Sequence, residues 1–159
     1  MKFGVYTLVI ENHMVRLPGF GMFDFGWGMG YVLLPTNHPF YGVDCDDIEM
    51  RVHGGLTFGQ SFNTSTFLEW IKGRQILGDV TKENYDFFNN YWMIGFDTNH
   101  YDDNSQDCSK EFVIDETNSL LDKCLDDSIE KMKEYKSIYF RKDKLKKIDA
   151  SVLALSSKQ

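Results

Sequence analysis

The stretch GFGMFDFGWGMGYVLLP, Gly19 to Pro35, decides the fold. In its second half Gly26, Gly28 and Gly30 alternate with Trp27, Met29 and Tyr31, and the run closes on Val32, Leu33 and Leu34 before Pro35. A period of two is that of a β-strand, with the glycines on one face and the large side chains on the other. A bare glycine face lets another backbone or a flat ligand approach closely. The spacing does not make a phosphate loop: Gly19-x-Gly21 lacks the third glycine of a dinucleotide fingerprint, and no Gly-Lys-Ser/Thr follows.

On the N-terminal side, Lys2 to Ile10 reads as a strand, Glu11-Asn12-His13 as a turn and Met14 to Leu17 as a returning strand stopped by Pro18-Gly19, an N-terminal hairpin. On the C-terminal side, Ile48, Met50 and Val52 alternate with Glu49, Arg51 and His53, which predicts a strand buried on one face. Gly54-Gly55 breaks it before Leu56-Thr57-Phe58 resumes. Ser61 to Lys72 predicts a short helix, with Thr66 and Glu69 at capping-box spacing, Phe67, Trp70 and Ile71 on one face, and Gly73 as the stop. Gly73 to Asn90 is less regular, a loop, an insertion or a second short element, whereas the apolar run Tyr91 to Phe96 predicts a central strand. From Glu111 to Met132, Val113, Thr117, Leu120, Leu121, Cys124, Leu125 and Met132 recur at helical spacing. Strands followed by a long helix imply an α+β fold, an antiparallel or mixed sheet packed against a long C-terminal helix.

The 159 residues suit a single domain, residues 1–130, followed by a basic helix extension or tail, 131–159. The net charge of -7 argues against nucleic acid and anionic membrane as partners, because counterion release needs a basic surface. Three cysteines at no metal-ligand spacing, with no secretory leader pattern, point to a reducing cytoplasm, and no apolar run reaches the roughly 18 residues that cross a bilayer. The 15% aromatic share supplies rings for a core, for a ligand pocket and for a possible homo-oligomer interface.

Two polar segments interrupt apolar runs: VHGGLTFG, Val52 to Gly59, and IGFDTNHYDDN, Ile94 to Asn104. A strand that ends in His or Asp delivers a titratable group to the edge of the core. His53 is a candidate base, hydrogen-bond donor or ligand contact, with Gly54 and Gly55 clearing room beside it and Thr57 following. Asp97 would orient His100, bind a hydroxyl or coordinate a cation; Asp102 and Asp103 suit the latter two roles. A metal set would use His53, His100 and one or two carboxylates, but no His-x-His or HExxH spacing is present, so neither metal nor cofactor is expected. Cys45 lies among Asp44, Asp46 and Asp47, which opposes thiolate formation, and no G-x-S-x-G occurs.

GYV at Gly30 to Val32, the His38-Pro39-Phe40-Tyr41-Gly42 loop, VHGGLT at Val52 to Thr57 and GFDTNH at Gly95 to His100 resemble the shared motifs of a group of small bacteriophage and prophage proteins. The resemblance runs from Gly26 to Leu125. That group carries no assigned activity, so the resemblance implies a viral origin and work in a host cytoplasm without naming a reaction. It also implies that His38, Tyr41, His53, Gly54, Gly55, Thr57, Asp97 and His100 act as one unit. Gly26-Trp27-Gly28-Met29 departs from the group's His-Arg-Cys-type step.

Together these readings lead to a binder of a nucleotide-like small molecule, an anti-defence protein that sequesters a host immune signal. Its expected contacts are His38, Tyr41, His53, Gly54, Gly55, Thr57, Asp97, His100 and Asp102, with aromatic rings under a base and the Gly54-Gly55 amides at a phosphate. The alternatives are a hydrolase or lyase using His53, His100 and Asp97 in acid–base chemistry, and an inhibitory interaction module gripping a partner through its charged C-terminal region.

Overall fold

The structure, a computed structural model, describes residues 4–12, 15–17, 21–23 and 25–126. The basic segment 131–159 lies outside them. The strands are β1 (Tyr6–Glu11), β2 (Val15–Leu17), β3 (Gly21–Phe23), β4 (Gly28–Leu34), β5 (Phe58–Ser61), β6 (Ile76–Gly78) and β7 (Trp92–Phe96); the helices are α1 (Thr64–Trp70) and α2 (Lys110–Asp126). Five strands form one antiparallel sheet in the order β5-β7-β4-β1-β6, and β2 pairs with β3. The protein is α+β, and α2 packs on β4 and β1.

The register sorts the core into two faces. Leu8 pairs with Tyr31, Ile10 with Met29 and Leu33 with Met93, and these six side chains pack with Phe62, Phe67, Ile71, Val80 and Phe88 on the α1 side. The alternate positions Val9, Val32, Ile94 and Phe96 belong to the other face, where α2 buries Val113, Thr117, Leu120 and Cys124. Each fully buried aliphatic or aromatic side chain contributes about 1.5–3 kcal/mol. The glycine face of β4 is used by this second layer: a side chain on Gly30 would occupy the space of the Thr117 hydroxyl and the Phe96 ring. The close approach expected there is thus made by a helix of the same chain.

Several local expectations are corrected. Among the described residues β1 and β2 do not pair as a hairpin: β1 pairs with β4 and β6, while β2 pairs with β3. The Asn12 side chain explains how the chain leaves β1, since its Nδ2 donates to the Gly26 carbonyl at 2.8 Å and to Asn99 Oδ1 at 2.7 Å. Ile48 to His53 is not a strand. Asp44 caps a 3-10 turn at Cys45–Asp47 by accepting from the Asp46 amide, and positive φ angles at Gly54 and Gly55 hold the following turn, so the edge strand starts only at Phe58. The cap of α1 is Asn63, whose Oδ1 accepts from the Thr66 amide at 3.1 Å, so Thr66 lies inside the helix instead of opening a capping box. The irregular span 73–90 holds the edge strand β6 and a 3-10 turn at Tyr85–Phe88. Among the described residues no helix is long and apolar enough to cross a membrane.

Candidate functional site

β7 carries the chain through the middle of the sheet and ends at Phe96, which pairs with Gly30. The turn that follows is anchored from inside. Thr98 is fully buried and donates through Oγ1 to the Gly28 carbonyl at 2.7 Å, and the Gly26 amide donates to the Thr98 carbonyl at 2.8 Å. Asp97, one step beyond the strand, accepts from the Asn99 amide at 3.0 Å and from the Thr57 hydroxyl at 2.8 Å. His100 and Asp103 then close a turn on each other: the Asp103 amide donates to the His100 carbonyl at 3.0 Å, and the His100 amide donates to Asp103 Oδ2 at 2.9 Å.

This turn brings two histidines onto one carboxylate. His100 Nδ1 lies 2.7 Å from Asp103 Oδ2, and His53 Nε2 lies 2.8 Å from Asp103 Oδ1. Because a carboxylate only accepts, both imidazoles donate with those nitrogens, which leaves His53 Nδ1 and His100 Nε2 outside these bonds. His100 Nε2 is 3.8 Å from Asp97 Oδ1. The ring centroids of His53 and His100 are 5.6 Å apart. The Asp103 side chain is 7% exposed, against 25% for His53 and 39% for His100, so the acid is the buried hub and the imidazoles are its accessible rim. Burial by itself pushes the Asp103 carboxyl upward, but the bonds from the His100 amide and from both imidazoles outweigh it and hold the group below its ordinary value.

α2 and the glycine turn fix the imidazoles. Glu116 Oε1 accepts from the His53 backbone amide at 2.7 Å, and Phe112 meets the His53 ring edge-to-face at 5.3 Å. Gly54, at φ +67°, sits where any side chain would run into the His100 ring. Gly55 is spent locally, its amide donating to the Val52 carbonyl at 2.9 Å, so that amide does not point to a ligand phosphate. Cys108 completes the group, with Sγ 3.5 Å from Asp103 Oδ1 and 3.8 Å from His53 Nε2. Burial and then the Asp103 carboxylate push its thiol up to about 11, so it is no thiolate nucleophile at neutral pH. Cys45 is raised as well, by burial first and then by Asp46 and Asp44.

The structure therefore gathers His53, Gly54, Thr57, Asp97 and His100, and it sets others apart. His38 is fully buried; its Nδ1 accepts from the Phe40 amide at 3.1 Å and its Nε2 lies 3.1 Å from the Cys124 carbonyl, joining the His-Pro loop to α2. Tyr41 donates to the Asn90 carbonyl at 2.8 Å and tilts against Trp92. Trp92 opens β7 and Asp97 follows its end, a separation of about 16 Å at strand rise. Asp102 is exposed, and its neighbour Asp103 turns inward. The sequence named both acids; the His100-x-x-Asp103 spacing, which lets a turn amide and an imidazole meet one carboxylate, is the signal that separates them. Phe112 and Glu116 had no local signal, because α2 brings them in from a distance, and Cys108 comes from the turn just before that helix.

A second feature lies on the α1 side. A groove of about 630 Å³ is lined by Phe58, Gln60 and Ser61 of β5, Phe62 and Asn63 after it, Met93 of β7, and Thr66, Phe67, Glu69 and Trp70 of α1. Phe58 and Trp70 stack at 5.6 Å and 28°, with Tyr31 edge-on to both. Thr57 and Phe58 are consecutive, one bonded to Asp97 and the other forming the groove wall.

No family model, no curated protein and no solved structure matches the chain.

Proposed function

We propose that the protein is a small-molecule-binding protein that takes a nucleobase-type ring in the groove between β5 and α1. The observation that carries this reading is the two-ring platform of Phe58 and Trp70 in a groove of about 630 Å³, a volume suited to a small ligand. Gln60, Ser61, Thr66 and Glu69 supply the hydrogen-bonding rim that a base edge requires. Glu69 is the charged member of that lining, and no Lys or Arg is among the described residues that form it, so the preferred ligand is a nucleoside-like ring with no phosphate held in the groove. The resemblance to phage proteins supports a setting for such binding, the capture of a host immune signal built on a nucleobase.

Calorimetry with the four ribonucleosides and their 5′-monophosphates tests this. One nucleoside binds, its monophosphate binds no tighter, and Trp70→Ala weakens the complex by about tenfold, in line with the roughly 1–3 kcal/mol of base–aromatic stacking. Absence of binding across the panel overturns it.

One observation favours a second reading, turnover by a hydrolase or lyase: Asp103 holds two partly exposed imidazoles 5.6 Å apart, so that one accepts a proton while the other gives one. A product seen by mass spectrometry and lost in His53→Ala supports it; ligand recovered unchanged supports sequestration. The third possibility, an interaction module, rests on residues 131–159, outside the described structure.

A further inference from the structure

The His53–Asp103–His100 cluster has a property that neither ligand capture in the groove nor proton transfer needs. One nitrogen from each imidazole and one Asp103 oxygen all lie within 4.8 Å of one another, and the Cys108 sulfur stands beside that set on the His53 side, 3.5 Å from Asp103 Oδ1 and 3.8 Å from His53 Nε2. Tetrahedral coordination with bonds of about 2.0–2.3 Å separates ligand atoms by about 3.3–3.6 Å. The two sulfur distances are already close to that spacing. His53 Nε2 lies 2.8 Å from Oδ1 and His100 Nδ1 lies 2.7 Å from Oδ2, hydrogen-bond distances to different oxygens of Asp103, and both bonds give way when a cation takes the place of their protons.

We propose that His53, His100, Asp103 and Cys108 bind a zinc-type divalent transition ion. Two imidazole nitrogens, one carboxylate oxygen and one thiolate form a borderline-soft donor set that suits zinc and cobalt and excludes magnesium and calcium, which take oxygen ligands. The surroundings orient the donors. Asp97, held by Thr57, stands 3.8 Å from His100 Nε2 and is the carboxylate nearest the N–H that this nitrogen carries when Nδ1 is a ligand. Glu116 fixes the backbone of His53, and the missing side chain of Gly54 gives the His100 ring its place.

The proton balance is simple. An imidazole that enters neutral moves its proton from the ligating nitrogen to the other ring nitrogen, and the thiol proton passes to solvent, so ion binding releases the thiol proton. Imidazoles held by the ion no longer serve as free acid and base, so metal binding and two-imidazole proton transfer are competing uses of the same nitrogens.

Asp44, Cys45 and Asp46 also come together, but their acids are exposed and Asp44 already accepts from the Asp46 amide. They serve as the internal control.

The test uses the full chain, stripped with chelator and titrated with zinc in calorimetry and with cobalt in absorbance. One ion binds per chain, Asp103→Asn and His100→Ala each weaken it by about 10–100-fold, and the variant Asp44→Asn/Asp46→Asn binds as the parent does. Cobalt gives a sulfur-to-metal charge-transfer band that Cys108→Ser abolishes, while circular dichroism shows each variant folded. The inference is overturned if no ion binds at micromolar concentration, if binding survives Asp103→Asn combined with His53→Ala, or if cobalt binds without a sulfur band. Nucleoside titration is separate, because Trp70→Ala removes groove binding and leaves the metal titration unchanged.

Discussion

The His-Pro loop and the glycine turn each present a histidine, and they use it in opposite ways. His38 has no exposure and meets two main-chain groups, the Phe40 amide and the Cys124 carbonyl. An amide only donates and a carbonyl only accepts, so the ring carries its proton on Nε2 and is a staple between a loop and α2. His53 and His100 meet a side chain, Asp103, on which both converge while keeping contact with solvent. Main-chain partners are fixed by the fold, whereas a carboxylate partner can exchange a proton for an ion. A histidine's partners, more than the motif around it, separate a structural ring from a reactive one.

The largest effect expected from this contrast is on stability. His38→Ala leaves a buried amide and a buried carbonyl without the ring and opens a cavity, so urea unfolding should show a loss of about 2–4 kcal/mol. A loss below about 1 kcal/mol would break the contrast. Gly54→Ala comes next. Its new methyl group collides with the His100 ring at a backbone φ of +67°, and a cost of about 1–2 kcal/mol together with loss of zinc binding is expected. Zinc affinity unchanged in that variant would show that the ring has room to move.

Smaller still is His100→Ala. Its side chain is 39% exposed, so the same unfolding measurement should record about 0.5–1 kcal/mol, well under the effect at His38. The smallest stability effect, under about 0.5 kcal/mol, is expected for Asp102→Asn, an exposed acid beside the buried one, with zinc binding retained. An effect as large as that of Asp103→Asn would mean that the two acids share the site.

Much of the fold was legible because its signals are local. The Tyr91 to Phe96 run became β7, the alternation from Gly28 became β4, and the Val113-Thr117-Leu120-Cys124 stripe became the buried face of α2. Where partners are distant the sequence was silent. The nearest strand in sequence looked like the partner of β1, yet β4 and β6 pair with it. The alternation at Ile48 to His53 mimicked a strand, although Ile48 is a buried residue within an irregular segment. At the site, His53, Asp97 and His100 were readable as polar residues at the ends of apolar runs. The hub Asp103 was hidden beside Asp102, because the direction of each acid depends on a single turn. The groove was readable only as an abundance of rings, since Phe58 and Trp70 stack through tertiary contact.

The most direct measurement is a long-range proton–nitrogen spectrum of the imidazoles before and after addition of one equivalent of zinc. The expected result is a His38 ring protonated at Nε2 in both spectra and unmoved by the ion, with His53 shifting at Nε2 and His100 at Nδ1. Movement of His38, or no movement of His53 and His100, would contradict it.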